Sequence, residues 1–489
     1  MHLLEDFIHQ VARQPQRAAL LEDNRQLSYH ALAWRAGGIA KALRRLAIPR
    51  EHPIAIALPR GIDASCAVLG ILASGHCYLP LDPKAPPQRG QWIVNDARAG
   101  AVIGRLPPGD SSLPWLNIDS IAPAPLEPLQ GGAETLAAIL YTSGSTGTPK
   151  GVALSQRALH AFCRWGRELV SLGPQDRIAA IAPLHFDLST FDLFAVLSVG
   201  ATTHFLPEKL TMAPSRLTSW LAEWGISGFY TVPSLLCFWS WKGNLSTALL
   251  PRLRFILFAG EAFPSAKLRR LAQQLPHVPL HNLYGPTQTN VCCHWPVDPE
   301  RLTDDHPIPI GAAASGDRLH LDPETGELWV RGPTLSSGYW RAGKLTPHLN
   351  PQGWYPTGDR VTTNGSGEYV YLGRLDRMLK VSGHRVEPAE IEATLLSLPE
   401  VEECAVVGLE TPDDAIVPAA VVVMNAALPM AKLRRHLQQH LPSYMLPAKI
   451  QSLAALPRLS NGKPDLAAIQ ACFAASGPSP SPPPGDTHG

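Results

Sequence analysis

The sequence carries almost no charge imbalance: Lys+Arg number 42 and Asp+Glu 41, a formal net charge of +1. Without a basic field there is no electrostatic footprint for nucleic acid or an anionic membrane, so neither is expected as a partner. None of the 8 cysteines forms a C-x-x-C pair, and the adjacent Cys292 and Cys293 cannot readily bridge each other. A disulfide framework is therefore not expected, and a reduced, cytoplasmic protein is. No apolar run reaches the roughly 18 residues of a membrane span. The start, Met1-His-Leu-Leu-Glu-Asp6, has neither the basic region nor the apolar stretch of a secretory signal. Internal repeats are absent. Proline, in contrast, is abundant, and its 48 residues gather in the connections between apolar segments. A length of 489 residues suggests about three domains, or one large domain with a smaller one, and ample material for a core.

The apolar segments alternate in type. Residues 1–50 read as two helical segments, the second with Leu32, Ala36, Ile39, Ala40 and Leu43 on one stripe. Pro53 to Leu58 reads as a buried strand, Ala64 to Ser74 as a helix, and Tyr78 to Pro83 as a strand entering a loop. Strand, helix, strand in this order implies a parallel α/β sheet. Residues 104–133 read as a Gly/Pro/Ser-rich loop holding at most one short strand. Further buried strands are expected at Ile178 to Ala182, Phe229 to Pro233, Leu253 to Ala259 and Val278 to Leu280. Polar clusters follow three of these strands, at 185–189, 259–262 and 282–288, and ligands of open α/β sheets bind beyond the carboxyl ends of strands. From 308 to 372 the pattern changes to short strands with turns, which suggests a small barrel. Pro388 suits the first position of a helix carrying Ile391, Leu395 and Leu398; strands at 401–408 and 419–424 and a helix at 430–441 follow. The expected division is a core at 1–375, a small α+β domain at 376–475 and a disordered Pro-rich tail at 476–489.

One stretch stands out, Tyr141-Thr-Ser-Gly-Ser-Thr-Gly-Thr-Pro-Lys-Gly-Val152. Its glycines allow close backbone approach to a ligand, and its hydroxyls and N–H groups form a concave set of donors suited to phosphate oxygens. It is not a Walker A loop, because Gly151 rather than Ser or Thr follows Lys150. An apolar strand precedes it, a second short strand (152–154) follows, and only then does Ser155 look like a helix N-cap. A flexible Gly/Ser linker would not lie between two apolar strands.

This loop resembles the phosphate loop of the adenylate-forming superfamily, which includes acyl-CoA synthetases, luciferases and the adenylation domains of nonribosomal peptide synthetases. The later clusters match that superfamily in order, over about residues 5–470. The resemblance implies an α/β core of two subdomains plus a small β-barrel, followed by a mobile α+β C-terminal domain. It implies ATP and Mg²⁺ as cofactors and two steps: a carboxylate attacks the α-phosphate and pyrophosphate leaves, then a thiol attacks the acyl-adenylate and AMP leaves. Both transition states gather negative charge on oxygen and need preorganised donors. By resemblance Thr142, Ser143, Gly144, Ser145, Thr146, Gly147 and Lys150 would hold the β- and γ-phosphates. Tyr284 would stack on adenine, with Asn282, Gly285 and the Gly260-Glu261 backbone around it. Asp359, backed by Arg374, would accept both ribose hydroxyls. Thr287 would touch the α-phosphate, Lys463 would bridge substrate carboxylate and α-phosphate, and Asp376 would be the hinge. Where the superfamily usually carries a metal-holding Glu, this chain has Gln288, which lacks the charge that a hard cation prefers.

His185-Phe-Asp-Leu-Ser189 resembles the amino-acid-activating branch, in which Asp187 would meet the substrate ammonium; the plain alternative for Asp187 is a helix cap. The pocket carried over from the resemblance is Phe186, Asp187, Leu188, Phe191, Thr231, Leu257, Ala259, Leu283, Val291 and Cys292. Asp187 and Lys463 apart, it is uncharged, so a charged substrate side chain would be buried unpaired. The set resembles freestanding prolyl-carrier-protein ligases, with Phe191 and Thr231 as departures. Proline is the first expectation, with alanine, pipecolate or a β-amino acid left open. The chain ends within about 25 residues of Lys463, so the acceptor thiol is expected in trans, on the phosphopantetheine of a separate carrier protein or on CoA. Two other readings stand beside this one: an acyl-CoA synthetase for a non-amino acid, and an idle adenylate-binding paralogue.

Overall fold

The structure is a computed structural model. It describes residues 2–106, 113–144, 147–303, 307–412, 414–426, 428–459 and 464–474. Ser145, Thr146, Lys463 and the 476–489 tail lie outside the described residues. The chain divides into two compact units. The first comprises 1–142, 149–376 and 382–384; the second comprises 143–148, 377–381 and 385–489.

In the first unit, among the described residues, strands form one sheet of eight and one of thirteen. In the smaller, Leu136–Thr142, Tyr78–Pro80, Ile54–Ala57, Ala101–Gly104 and Trp115–Asn117 run parallel side by side. Lys150–Ser155 then returns antiparallel to Leu136–Thr142. In the larger, Leu280–Tyr284, Phe255–Phe258, Gly228–Thr231, Arg177–Ala180, Thr202–Phe205 and Ala18–Glu22 are parallel. Their side chains are buried on both faces, as apolar segments such as Phe-Ile-Leu-Phe require. Helix Ile62–Ala73 is buried along its whole length for the same reason: it has no polar face. Ser28 and Ser155 both act as N-caps, accepting from Ala31 N and Ala158 N at 3.2 Å each.

Four elements differ from the expectations. A hairpin of Ala18–Glu22 and Arg25–Ser28 lies between the first two helices; its five- and four-residue strands are too short to show a period. Helix Pro87–Ala97 opens on a proline after the Tyr78–Pro80 strand and was not expected. The strand expected at 278–280 runs instead from Leu280 to Tyr284, because neighbouring strands on both sides supply partners for its polar residues His281 and Asn282. Pro309–Ala313, Arg318–Leu321, Glu327–Arg331, Tyr355–Thr363 and Tyr369–Arg374 are antiparallel and continue the larger sheet through the pairing of Cys293–Pro296 with Pro309–Ala313, while Gly338–Arg341 and Lys344–Thr346 extend the smaller one.

The second unit is built on a three-stranded sheet. Val401–Glu410 pairs antiparallel with Ile416–Met424, which pairs parallel with Lys449–Ser452. Alternation sends Val406, Ala420 and Val422 to one face, where they pack with Ile391 and Leu395 of helix Pro388–Leu396 and Leu433 and Leu437 of helix Met430–His440. Ala405, Val407, Ala419 and Val421 go to the other face, covered by Ile469 and Phe473 of helix Leu466–Ala474. Among the described residues no helix is long and apolar enough to cross a membrane.

Several histidines are buried neutral. His204 lies between Trp220 and Trp224, ring centroids 4.6 and 4.4 Å away, and its Nδ1 has no partner. Burial pushes His204, His281, His294 and His348 down to about 4 each. Below their ordinary value of 6.5 the unfolded chain takes up protons that the folded chain refuses. The melting temperature should therefore fall as pH drops from 6.5 toward 4, and His204→Phe should make that fall shallower. Melting curves across this range check it; an unchanged slope in the variant would show that His204 is not buried neutral.

Candidate adenylate site

The polar residues of interest lie where parallel strands end. Gly228–Thr231, Phe255–Phe258 and Leu280–Tyr284 are neighbours in register, with Thr231 opposite Phe258 and Phe258 opposite Asn282. Their carboxyl ends therefore bring Thr231, Ala259-Gly260-Glu261 and Asn282-Leu283-Tyr284 to one edge. Gly260 has φ of +96°, a conformation open to glycine. The Glu261 carboxylate accepts from Ser234 N at 2.8 Å and so caps the helix Pro233–Lys242, a role that the sequence did not suggest. Asn282 is buried, and its Nδ2 donates to the Pro309 carbonyl at 2.8 Å, which fixes the amide's orientation.

After Tyr284 the chain turns sharply and returns as Cys293–Pro296, with Tyr284 opposite Cys293. A side chain at Gly285 would lie 1.8 Å from the Asn290 carbonyl oxygen, so only glycine fits there. Thr287 is half-buried in this turn. Gln288 is fully buried; its carbonyl accepts from Ser336 N at 2.7 Å, and its Nε2 lies 3.4 Å from the Tyr339 hydroxyl.

The firmest part of the site is a charged network. Asp359 is 2% exposed and faces Arg374 across two antiparallel strands, Tyr355–Thr363 and Tyr369–Arg374. Arg374 Nη1 donates to Asp359 Oδ1 at 2.9 Å and to the Thr357 carbonyl at 2.7 Å. Arg374 Nε donates to Asp376 Oδ1 at 2.8 Å. Asp376, expected as a hinge, is the last residue of the first unit before residue 377 opens a segment of the second. Tyr284 donates its hydroxyl to Asp359 Oδ2, a bond that the sequence reading missed. Burial, then the Asp359 charge, pushes the Tyr284 hydroxyl well up, so it remains a donor.

The glycine-rich loop closes an antiparallel pair whose last rungs are Tyr141 with Gly151 and Thr142 with Lys150. Thr142 Oγ1 is buried without a partner among the described residues. Within the second unit, Ser143 Oγ donates to the Arg385 carbonyl, and Gly147 N donates to the Gly144 carbonyl at 2.9 Å. Lys150 Nζ lies 4.3 Å from the Tyr339 ring centroid, so Tyr339 is a neighbour of the loop that sequence reasoning did not name. Its pairing in Gly338–Arg341 with Lys150–Ser155 is a tertiary contact with no local signal.

Of the apolar pocket residues, Phe191, Leu257, Ala259, Leu283 and Val291 belong to one buried cluster, and Leu188 packs against it. Phe191 stands edge-on to Tyr230 and Phe255, centroids 6.1 and 6.4 Å away. Thr231 is buried beside them, while Cys292 belongs with Tyr284 to an adjoining cluster. Asp187 is half-buried in a turn closed by Thr190 N to Asp187 O at 3.0 Å and by Thr190 Oγ1 to the same oxygen at 2.6 Å. Its charge adds to burial in pushing up the Tyr230 hydroxyl, which places it beside that cluster. Phe186 meets His384 edge-on at 4.6 Å, both within the first unit.

The residues suit a nucleotide better than a protein-held metal. The orphaned Thr142 hydroxyl, Lys150 and the loop glycines are donors for an anion. For Mg²⁺ the fit is poor: Gln288 is neutral, and no group of three or more His, Cys, Asp or Glu that could hold a metal occurs among the described residues. Removing the Tyr284 hydroxyl leaves a buried carboxylate one donor short. Tyr284→Phe should cost about 1.5–3 kcal/mol, the worth of a hydrogen bond to a charged group. Denaturant midpoints read this directly, and an unchanged midpoint would refute the bond's contribution.

The chain was compared with known proteins. The AMP-binding enzyme family matches residues 7–340, and its C-terminal domain family matches residues 390–463. A protein of Pseudomonas fluorescens named L-proline–(L-prolyl-carrier protein) ligase is 38% identical over 96% of this chain and 98% of its own length. A protein of the same name from Streptomyces coelicolor is 36% identical over 90% of this chain and 91% of its own. Among solved structures, an amide bond synthetase from Marinactinospora thermotolerans superposes with a TM-score of 0.85 at 23% identity, covering 97% of this chain and all of that one, which speaks for the fold alone. The mixed α/β architecture, the ordered motifs and these matches agree, and the chain belongs to the AMP-binding, adenylate-forming enzyme family.

Proposed function

We propose that this AMP-forming ligase activates a small neutral apolar amino acid, proline first, and passes it to the phosphopantetheine thiol of a separate carrier protein. The observation that carries the reading is a buried apolar cluster with the half-buried Asp187 carboxylate beside it, the other nearby carboxyl group, Asp192, being fully buried. The names of the two relatives support proline and a carrier protein. Magnesium enters only as a companion of the triphosphate, since Gln288 supplies no charge for it.

The chemistry runs in two displacements. A carboxylate oxygen of the amino acid attacks the α-phosphorus of ATP; the new P–O bond forms as the bond to pyrophosphate breaks. The carrier thiol then gives up its proton, its sulfur attacks the acyl carbon, and AMP leaves with the carboxylate oxygen. In this reading Thr142, Ser143, the loop N–H groups and Lys150 hold the outgoing phosphates, and Thr287 with Lys463 meets the charge growing on the α-phosphate. Tyr284, Asn282 and the Gly260-Glu261 backbone border the base. Asp359, oriented by Arg374 and Tyr284, receives the ribose hydroxyls on its remaining lone pairs. The ammonium of the substrate neutralises Asp187, and its ring or short chain lies against Leu188, Phe191, Leu257, Leu283 and Val291.

Pyrophosphate exchange with proline, alanine, phenylalanine, lysine, glutamate, benzoate and octanoate tests the reading, and proline should lead. Asp187→Ala should reduce amino-acid-dependent exchange by about 3–5 kcal/mol, the cost of stranding one buried charge. Preference for benzoate or octanoate, or indifference of the favoured acid to Asp187→Ala, would overturn it.

Lys463→Ala separates the two half-reactions. Exchange should fall by roughly 10²-fold or more, the scale of losing one preorganised donor. Transfer from a preformed aminoacyl-adenylate to the thiol should be spared. Equal loss in both steps would refute the role given to Lys463.

A further inference from the structure

Behind the apolar cluster lies a second, much smaller space. Asp192 follows Phe191 in a π-helical turn, Phe191–Ala195, and is 3% exposed. Neither of its carboxyl oxygens has a hydrogen-bond partner. The backbone N–H groups of Ile181 and Ala182 act on it against the larger effect of burial. Asp192 and Arg60 line a cavity of about 20 Å³, together with apolar residues such as Leu193 and Phe205 and with Ser65, Ser189 and Thr203. Arg60 is itself largely withdrawn from water; its Nη2 donates to the Leu206 carbonyl at 2.6 Å, and its charge acts on Asp192.

A buried carboxyl group with neither oxygen satisfied is rare, because protein interiors leave few polar atoms unpaired. A space of roughly 10–15 Å³ suffices for one water, provided that two or more polar groups face it. This cavity meets the size and offers a carboxyl group on one side and a guanidinium on the other. It is too small for an organic ligand, and Arg60 disfavours a cation.

We infer that one ordered water occupies this cavity, bridging the Asp192 carboxyl group to Arg60, and that the bridge makes Asp192 a positioning residue for the substrate pocket. The turn that it fixes is otherwise held from one side. Thr203 Oγ1 donates to the Asp192 carbonyl at 2.6 Å, and Cys163 Sγ lies 3.6 Å from the Thr190 carbonyl. Phe191 is the neighbouring residue in that turn, and the same stretch carries Asp187 and Leu188. A π-turn places one residue more per turn than an α-helix and is easily lost to α-geometry, so it needs a tie of this kind. Burial raises the Asp192 carboxyl to about 8, so near neutral pH it is protonated and can donate to the water as well as accept. Asparagine, which has the same shape with one donor and one acceptor side, should replace it.

The inference rests on the proposed role of the Asp187–Phe191 stretch in binding the amino acid, and two measurements keep the two apart. A crystal structure of the full chain should show water density within about 2.6–3.2 Å of both Asp192 and Arg60. That result does not depend on which acid is the substrate, and a cavity without density would overturn the inference. In exchange assays with the acid that the panel selects, Asp192→Val should raise its KM roughly tenfold, the equivalent of about one net hydrogen bond, and leave the KM for ATP unchanged. Asp192→Asn should stay within about threefold of the parent in the same assay, because it retains the bridge. Arg60→Met should match Asp192→Val, and the double variant should be no worse than either single one. An unchanged KM in Asp192→Val, a rise in both KM values together, or a loss in Asp192→Asn as large as that in Asp192→Val would each overturn the positioning role.

Discussion

The constraint on which this molecule depends is the burial of its parallel strands on both faces. A strand such as Phe255–Phe258 has no side on which to show a polar group. In such strands polar side chains gather at the ends, and because neighbouring strands are parallel and in register, the ends coincide. Thr231, Gly260-Glu261 and Asn282-Tyr284 meet at one edge without any specific attraction between them. The chemistry is gathered by the hydrophobic effect acting elsewhere.

Within that edge, Asp359 is the residue whose environment is most fully determined. A carboxyl group this deeply buried needs charged and hydrogen-bonding partners, and Arg374 and Tyr284 supply them. The arrangement is rigid, since Arg374 is held in turn by the Thr357 carbonyl and Asp376. A partner binding there meets a preset acceptor rather than a side chain that must be ordered, which lowers the entropic cost of association.

The fold class was legible in the sequence because long apolar segments alternated with helical stripes, and because Pro388 and Ser155 mark helix starts by local chemistry alone. Asp187, Asp359, Lys150 and Tyr284 were picked out as candidates by motif resemblance. What escaped were contacts made by distance in sequence. The Tyr284–Asp359 bond spans 75 residues, and Glu261 caps a helix that begins 28 residues before it. The short hairpin at 18–28 and the strand bearing His281 and Asn282 escaped for another reason. Their pattern is weak, and ladder partners elsewhere decide their conformation. Asp192 was not singled out, since nothing local distinguishes a carboxyl group facing a cavity from one facing solvent.

The second unit's sheet has a further consequence. Val406 points to one set of helices while Ala405 and Val407 point to the other, and both faces are apolar. A single-residue insertion or deletion within Val401–Glu410 would exchange its two faces, setting Ala405 and Val407 against the pair of helices that now receive Val406. Length variation in relatives of this chain should thus collect in connectors such as 411–415, where the two strands turn, and should be absent from the strands themselves.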